Sequence, residues 1–326
     1  MDALPEGLTT RPMRPADVVA IAALAAAAER VDDTGRHESP EDLTAWFVND
    51  LVDLARDTRV VLDGDELLAW ASAIAPPTFR DAYGVHLEGQ VHPDRRGRGI
   101  GRALLAWQLE RGTQLHAERH PEAPARLTVI VPTTLVSLEA LVRRAGLQPA
   151  RWFFHMERSL TDLPPRRRLD GVDLVPFSWD RDDDVRQAHN VAFTEHYGSS
   201  VRDVASWQVM FTGQPSFRPD LSVLAVSGGA VVGYALSYVS EATAAATGSR
   251  ESYFGQIGVV PAARGRGVSK AVIIEALHAA AAADCQTAGL EVDSENVTGA
   301  LGLYESLGFT THRTQVSWSR HLSPLT

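Results

Sequence analysis

The chain has 326 residues, room for two ordinary domains, each with its own core. With 44% hydrophobic and 22% charged residues and a formal net charge of −10, it is globular and acidic. That excludes a body built to grip nucleic acid or anionic lipid, and it weakly favours a cationic acceptor.

The N-terminus, Met1 to Glu6, is acidic and lacks the apolar core of a signal peptide. Val18 to Ala28, the most apolar stretch, is too short to cross a bilayer. Cys285 stands alone, so no intrachain disulfide can form, and no His/Cys cluster has metal-ligand spacing. A soluble cytoplasmic protein without metal or membrane partner is expected. Asp17-Val18 opens an alanine-rich helix. Val60 to Leu62, a turn at Asp63-Gly64-Asp65, and Leu67 to Ala73 read as a hairpin. An apolar strand ending at Val91 then runs through Pro93 into a basic, glycine-rich turn, Arg96-Gly97-Arg98-Gly99-Ile100-Gly101-Arg102. A helix from Ile100 to Arg111, a buried strand from Leu127 to Val131, and a helix from Leu135 to Ala145 stopped by Gly146 follow. Trp152 to Glu157 reads as the closing strand. Pro164-Pro165 and Arg166 to Arg168 mark a connection, more in keeping with a solvated linker than with an anion site.

The same order then recurs. Asp184-Val185 opens a helical run to His196, and Val223 to Val226, Ser227-Gly228-Gly229 and Val231 to Tyr238 repeat the hairpin. Extra residues lie around Glu241 to Ser252, where Ala244 to Ser249 reads as a loop. Ile257-Gly258-Val259 leads through Pro261 into a second turn, Arg264-Gly265-Arg266-Gly267-Val268-Ser269-Lys270. Next come a helix to Ala283, a strand from Gly289 to Val292, a helix from Thr298 to Leu307 stopped by Gly308, and a closing strand, Gln315 to Trp318. The expected layout is a duplicated α/β (mixed α+β sheet) domain: 1–158, a linker at 159–171, and 172–326, each closed by its own last strand.

Each turn aims backbone N–H groups at one spot on the positive end of a helix, a site for phosphate. The glycines let the backbone approach an anion without a Cβ in the way. No Gly-Lys-Ser/Thr follows either turn, which excludes a Walker A loop, and Gly97, Gly99 and Gly101 have the wrong spacing for a dinucleotide fingerprint.

Two turns of this pattern, each between strand and helix, resemble the GNAT superfamily of acyl-CoA-dependent N-acyltransferases. Its pyrophosphate motif is Arg/Gln-x-x-Gly-x-Gly/Ala. Arg96 to Gly101 matches fully; Arg264 to Ser269 matches except for serine in the last place. The tandem arrangement is similar to the family of mycothiol synthase and its relatives, in which the C-terminal half does the chemistry. The resemblance implies acetyl-CoA as donor. It would be held by Arg264, Gly265, Arg266, Gly267, Val268, Ser269 and Lys270, with Ile257, Gly258 and Val259 pairing with the pantetheine arm as an added strand. The Val259 N–H is expected to polarise the thioester carbonyl. Val91, Arg96, Gly97, Arg98, Gly99, Ile100, Gly101 and Arg102 form the parallel set in the first half.

Beyond the turns the halves diverge. Asn296 to Phe309 is similar to the family's second motif, N-x-x-A-x-x-L-Y-x-x-x-G-F, with one extra spacer residue. Asn296 would cap the helix or touch the pantetheine, and Tyr304 would protonate the departing thiolate. Matching Gly146 to Gly308 puts Val142 in place of Tyr304 and Thr134 in place of Asn296, so the first half lacks the acid. Candidates for general base are Glu251 first, working through water, then Glu291, Asp293, Glu195 and His196. The expected activity is acetyl transfer to a primary amine of a small molecule, by direct attack in a ternary complex, by a chain favoured as a monomer, with a dimer open. A non-catalytic acyl-CoA sensor is the alternative, and a catalytic first half is a third.

Overall fold

The computed structural model describes residues 4–47, 52–76, 78–194, 200–295 and 299–325. Its backbone falls into two compact units, Met1–Trp152 with Gln315–Thr326, and Phe153–Thr314.

The first unit runs β1 (Thr9–Arg11), α1 (Val18–Asp32), α2 (Pro40–Phe47), α3 (Leu54–Asp57), β2 (Thr58–Asp63), β3 (Glu66–Ile74), β4 (Tyr83–Val91), α4 (Ile100–Arg119), β5 (Ala125–Pro132) and α5 (Val136–Arg144). β6 (Gln148–Ser159) leaves it. The second runs β7 (Asp173–Pro176), α6 (Asp182–Ala192), α7 (Val204–Trp207), β8 (Val223–Ser227), β9 (Ala230–Tyr238), α8 (Glu241–Thr247), β10 (Glu251–Val259), α9 (Val268–Ala282), β11 (Thr287–Asp293) and α10 (Ala300–Glu305), and β12 (Thr310–Leu322) passes into the first from Gln315 on. The expected loop at 244–249 is largely the helix α8. The Ser240 Oγ caps it by accepting from the Thr243 N–H at 3.1 Å, and Gly248 ends it in the left-handed region.

The closing strands are exchanged, which corrects the expected boundaries of 1–158 and 172–326. β12 pairs antiparallel with β5, Val316 opposite Val131, while β6 pairs with β11, Leu290 opposite Met156. The first unit's strand order is therefore β1-β2-β3-β4-β5-β12 and the second's β6-β11-β10-β9-β8-β7. Matching arginines secure both exchanges. Arg320 on β12 donates to the Ala145 carbonyl at the end of α5, and Arg158 on β6 donates to the Leu307 carbonyl after α10. Each guanidinium satisfies a carbonyl that a helix end leaves unpaired.

The 159–171 segment is not a loose linker. His278 Nε2 lies 2.9 Å from the Pro164 carbonyl, Arg166 pairs with Glu275 at 3.5 Å, and Leu163 and Leu169 pack on the core that α9 helps to form. The backbone thus runs along α9 while Arg166 to Arg168 stay exposed.

In each unit one parallel strand pair comes apart partway. β4 pairs with β5 only from Tyr83 to His86, and β10 with β11 only from Glu251 to Tyr253. Past these points β4 and β10 keep their antiparallel neighbours β3 and β9 and present the opposite edge unpaired among the described residues. The two edges differ in one respect: β10 carries a bulge between Phe254 and Gln256, and β4 carries none.

Candidate active site

The two glycine turns have one backbone. In the second, a short 3-10 turn at Pro261–Ala263 leads to Arg264 in extended conformation, Gly265 at φ +75°, and Gly267 at φ +80° as N-cap of α9. In the first, Pro93–Arg95, Arg96, Gly97 at φ +76° and Gly99 at φ +93° do the same for α4. A left-handed N-cap requires glycine, and neither cap contributes a side-chain oxygen. The first-turn N–H groups of α9, on Val268, Ser269 and Lys270, are thus directed at a common point, with the helix dipole behind them.

The first arginine of each motif turns away from that point. Arg96 makes a bidentate pair with Asp32, at 2.6 and 2.7 Å, and also donates to the Val91 carbonyl. Arg264 donates at 3.0 Å to the Ala192 carbonyl at the end of α6. Both arginines anchor the turn to the preceding helix, so charge toward a phosphate comes from elsewhere. Arg266 donates to the Asp170 carbonyl at 3.4 Å and Lys270 to Ser306 Oγ at 3.3 Å, and both side chains are bound to the surface of the second unit.

The open edge of β10 has defined donors. The Val260 N–H bonds to the Val232 carbonyl on β9, so by strand alternation the Val259 and Ile257 N–H groups face the unpaired side. Gly258, between them, is packed too tightly for a side chain: a Cβ there would stand 2.5 Å from the Tyr234 hydroxyl. That hydroxyl is in turn 2.8 Å from His189 Nδ1, in a buried aromatic cluster with Trp207 and Phe211.

Tyr304 lies in α10 within the buried core formed with α9 and β11, its ring edge-on to Phe309 at 6.2 Å. Burial pushes its hydroxyl up to about 12, so it holds its proton throughout the neutral range. Val142, its counterpart, is fully buried on α5.

Glu251 stands at the head of β10 among polar groups that sequence reasoning did not connect with it. His155 Nε2 is 3.9 Å from its carboxylate, and the ligand atoms of His155, Glu157 and Glu251 all lie within 4.8 Å of one another. Tyr253 stacks on His155 at 6.0 Å, and His312 is 6.5 Å from it. Burial, then the Glu157 charge, raises the Glu251 carboxyl to about 7, against an opposing pull from Arg313. Burial, with Arg313 and His312 nearby, lowers His155 to about 4, which keeps its imidazole neutral. A carboxyl that titrates near neutrality is matched to proton transfer at physiological pH.

His155 and Glu157 belong to β6, so they reach Glu251 only through the strand exchange. A search confined to 172–326 misses them. Among the described residues the first unit has no such cluster at the matching positions. Matching the buried faces of the two sheets, with the bulge allowed for, puts Gly84 in place of Glu251, Thr128 of Gly289, Ser317 of His155 and Ser319 of Glu157.

The other candidate bases fare differently. Glu291 is exposed on β11, opposite His155 in register. Asp293 is buried and accepts from the Glu295 N–H at 2.9 Å, bracing the turn after β11. Glu195, His196 and Asn296 lie outside the described residues.

Residues 183–309 match the acetyltransferase (GNAT) family. Among curated proteins the chain is similar to mycothiol acetyltransferases. The one from Nocardioides sp. is 31% identical over 71% of this chain and 79% of its own length. The one from Frankia alni is 30% identical over 95% and 94%. Among solved structures, a GCN5-related N-acetyltransferase from Sphaerobacter thermophilus superposes with a TM-score of 0.76 at 25% identity, covering 99% of this chain and 98% of its own. A tandem GNAT protein from the clavulanic acid biosynthesis pathway, 19% identical, covers 97% and 99% with a TM-score of 0.72 and supports the fold. The chain belongs to the GNAT acetyltransferase family and is an N-acetyltransferase of tandem GNAT architecture. Members of this family use acetyl-CoA. Among the described residues no helix is long and apolar enough to cross a membrane.

Proposed function

We propose that the chain transfers the acetyl group of acetyl-CoA to a primary amine of a small molecule, in a ternary complex, and that the second unit does the chemistry. The observation that carries this reading is the set of titratable groups at the point where each parallel strand pair parts. Both units have the glycine turn and the open strand edge, but among the described residues the Glu251 cluster and Tyr304 have no counterpart at the matching positions of the first.

In this reading the α9 N-terminus takes the pyrophosphate, and the pantetheine amides pair with the open edge of β10. The Val259 N–H, or that of Ile257, donates to the thioester oxygen as negative charge develops there. Tyr304 gives its proton to the departing thiolate. Glu251 accepts the proton that the ammonium acceptor must lose. Six steps along β10 take Glu251 to Ile257, roughly 20 Å of strand before the bulge shortens it, so a chain of waters carries that proton.

The relatives' name makes a mycothiol-type acceptor the first to try, ahead of polyamines, amino acids, antibiotics and peptide N-termini. Thiol release from acetyl-CoA, measured across such an amine panel, tests the reading. An amine that stimulates release and is recovered acetylated supports it. Tight acetyl-CoA binding with no turnover on any amine favours an acyl-CoA sensor instead. A monomer is expected, because each chain already carries two GNAT repeats.

A further inference from the structure

The second glycine turn sits beside a cationic cup. The 159–171 segment runs along α9 towards the helix N-terminus and ends beside it. A Cβ on Gly267 would stand 3.7 Å from Arg167 Nη1 and 3.8 Å from Leu169 Cδ2. Next to the turn is a hollow of about 350 Å³ lined by Arg168, Leu169, Asp170, Val172 and Arg266. The floor is apolar, Val172 being buried and Leu169 packed on the core. The rim is basic, offset by one carboxylate, that of Asp170.

Among the described residues neither Arg167 nor Arg168 has an ion-pair or side-chain hydrogen-bond partner, unlike Arg166, which is held by Glu275. Two guanidiniums are therefore held near a helix N-terminus with their charge uncompensated, on an acidic body where like charges repel and carboxylates are plentiful. In the first unit the segment before β1 reads Leu4-Pro5-Glu6-Gly7-Leu8. Leu4 and Leu8 pack on the α4 core as Leu169 does on that of α9, but no basic residue accompanies them.

A CoA thioester carries two anionic groups on one ribose: the 5′-pyrophosphate and a separate 3′-phosphate. With the pyrophosphate on the α9 N-terminus, a second anion attached to the same sugar falls beside the turn. The hollow offers it guanidiniums, which bind phosphate oxygens in bidentate fashion. We infer that Arg167 and Arg168, together with Arg266, hold the 3′-phosphate of the acyl donor, so that the segment joining the repeats selects CoA thioesters over donors without that phosphate. The inference rests on the CoA reading of the second turn.

Calorimetric titration with acetyl-CoA and with 3′-dephospho-acetyl-CoA separates the two ideas. The wild-type chain is expected to bind acetyl-CoA at least about tenfold more tightly, a difference of about 1.4 kcal/mol. Arg167→Gln/Arg168→Gln should abolish that preference by weakening acetyl-CoA alone, with unchanged affinity for the dephospho donor. Both side chains are exposed, so the thermal transition should not move. Equal binding of the two donors by wild type, or equal weakening of both by the double variant, overturns the inference and leaves the pyrophosphate reading standing. Failure of wild type to bind either donor overturns the reading of the turn as well.

Discussion

Gly289 on β11 leaves the space that the Glu251 carboxyl on β10 fills: a Cβ at position 289 would stand 2.6 Å from the carboxyl carbon. The pair ties the proposed base to a residue whose only contribution is to have no side chain. The clash of Gly289→Ala falls on the far end of a side chain rather than on backbone, so it is relieved by moving Glu251. We expect kcat to drop at least about tenfold, with a stability change of about 1 kcal/mol or less. Steady-state kinetics beside a thermal melt check this; full activity in the alanine variant would detach Glu251 from the reaction.

Glu251 must be ionised to take a proton. Activity should therefore rise with pH through about 7, and Glu251→Gln should remove that limb along with a factor of roughly 10² to 10⁴ in kcat/KM. A pH–rate profile of both proteins is the measurement. A profile in the variant that keeps the same limb would assign it to another group.

The same carboxyl has a stability consequence. Folding raises it from 4.5 to about 7, so the folded state binds the extra proton, and stability is lost as pH rises through that window, by at most about 3 kcal/mol. His155 works the other way: lowered from 6.5 to about 4, it costs stability as pH falls. The difference between wild type and Glu251→Gln isolates the first effect. Urea unfolding should find the variant more stable at pH 8 and indistinguishable at pH 4.

Tyr304→Phe keeps the ring that packs on Phe309 and removes only the hydroxyl. The expected result is a kcat lower by roughly 10- to 100-fold, with little change in KM for acetyl-CoA, because the lost interaction belongs to the transition state. Unaltered turnover would remove Tyr304 from the mechanism and leave it as a core aromatic.

Gly99→Glu and Gly267→Glu impose the same local strain, at φ +93° and +80°, and put a carboxylate at each helix N-terminus. Gly267→Glu should abolish turnover and Gly99→Glu should spare most of it. The reverse pattern would move the chemistry to the first unit.

Much of this was legible from residues alone, for stated reasons. The turns could be read because left-handed φ at Gly97, Gly99, Gly265 and Gly267 demands glycine, and because apolar periodicity marks the strand before and the helix after. Tyr304 could be found because its helix ends at a fixed point, Gly308. The exchange could not. β6 and β12 carry the same alternation and an equivalent capping arginine, Arg158 or Arg320, so nothing local states which sheet each strand joins. With that choice hidden, His155 and Glu157 could not be placed beside Glu251. Nor could the arginine run at 166–168 be placed beside Gly267, since its composition is that of a solvated stretch.

The exchanged strands also bear on how the chain comes to be made. The ribosome completes the first repeat's own sequence early, yet the sheet of that unit stays one strand short until Gln315 to Leu322 have emerged, after all the helices of the second unit. The second unit, by contrast, has its closing strand β6 made before the rest of its sheet. A gene cut between the repeats would yield one fragment with an unfilled edge beside β5 and a surplus β6, and another with the converse defect, each complete only in the other's company. Each repeat thus depends on the other's sequence for its closing strand.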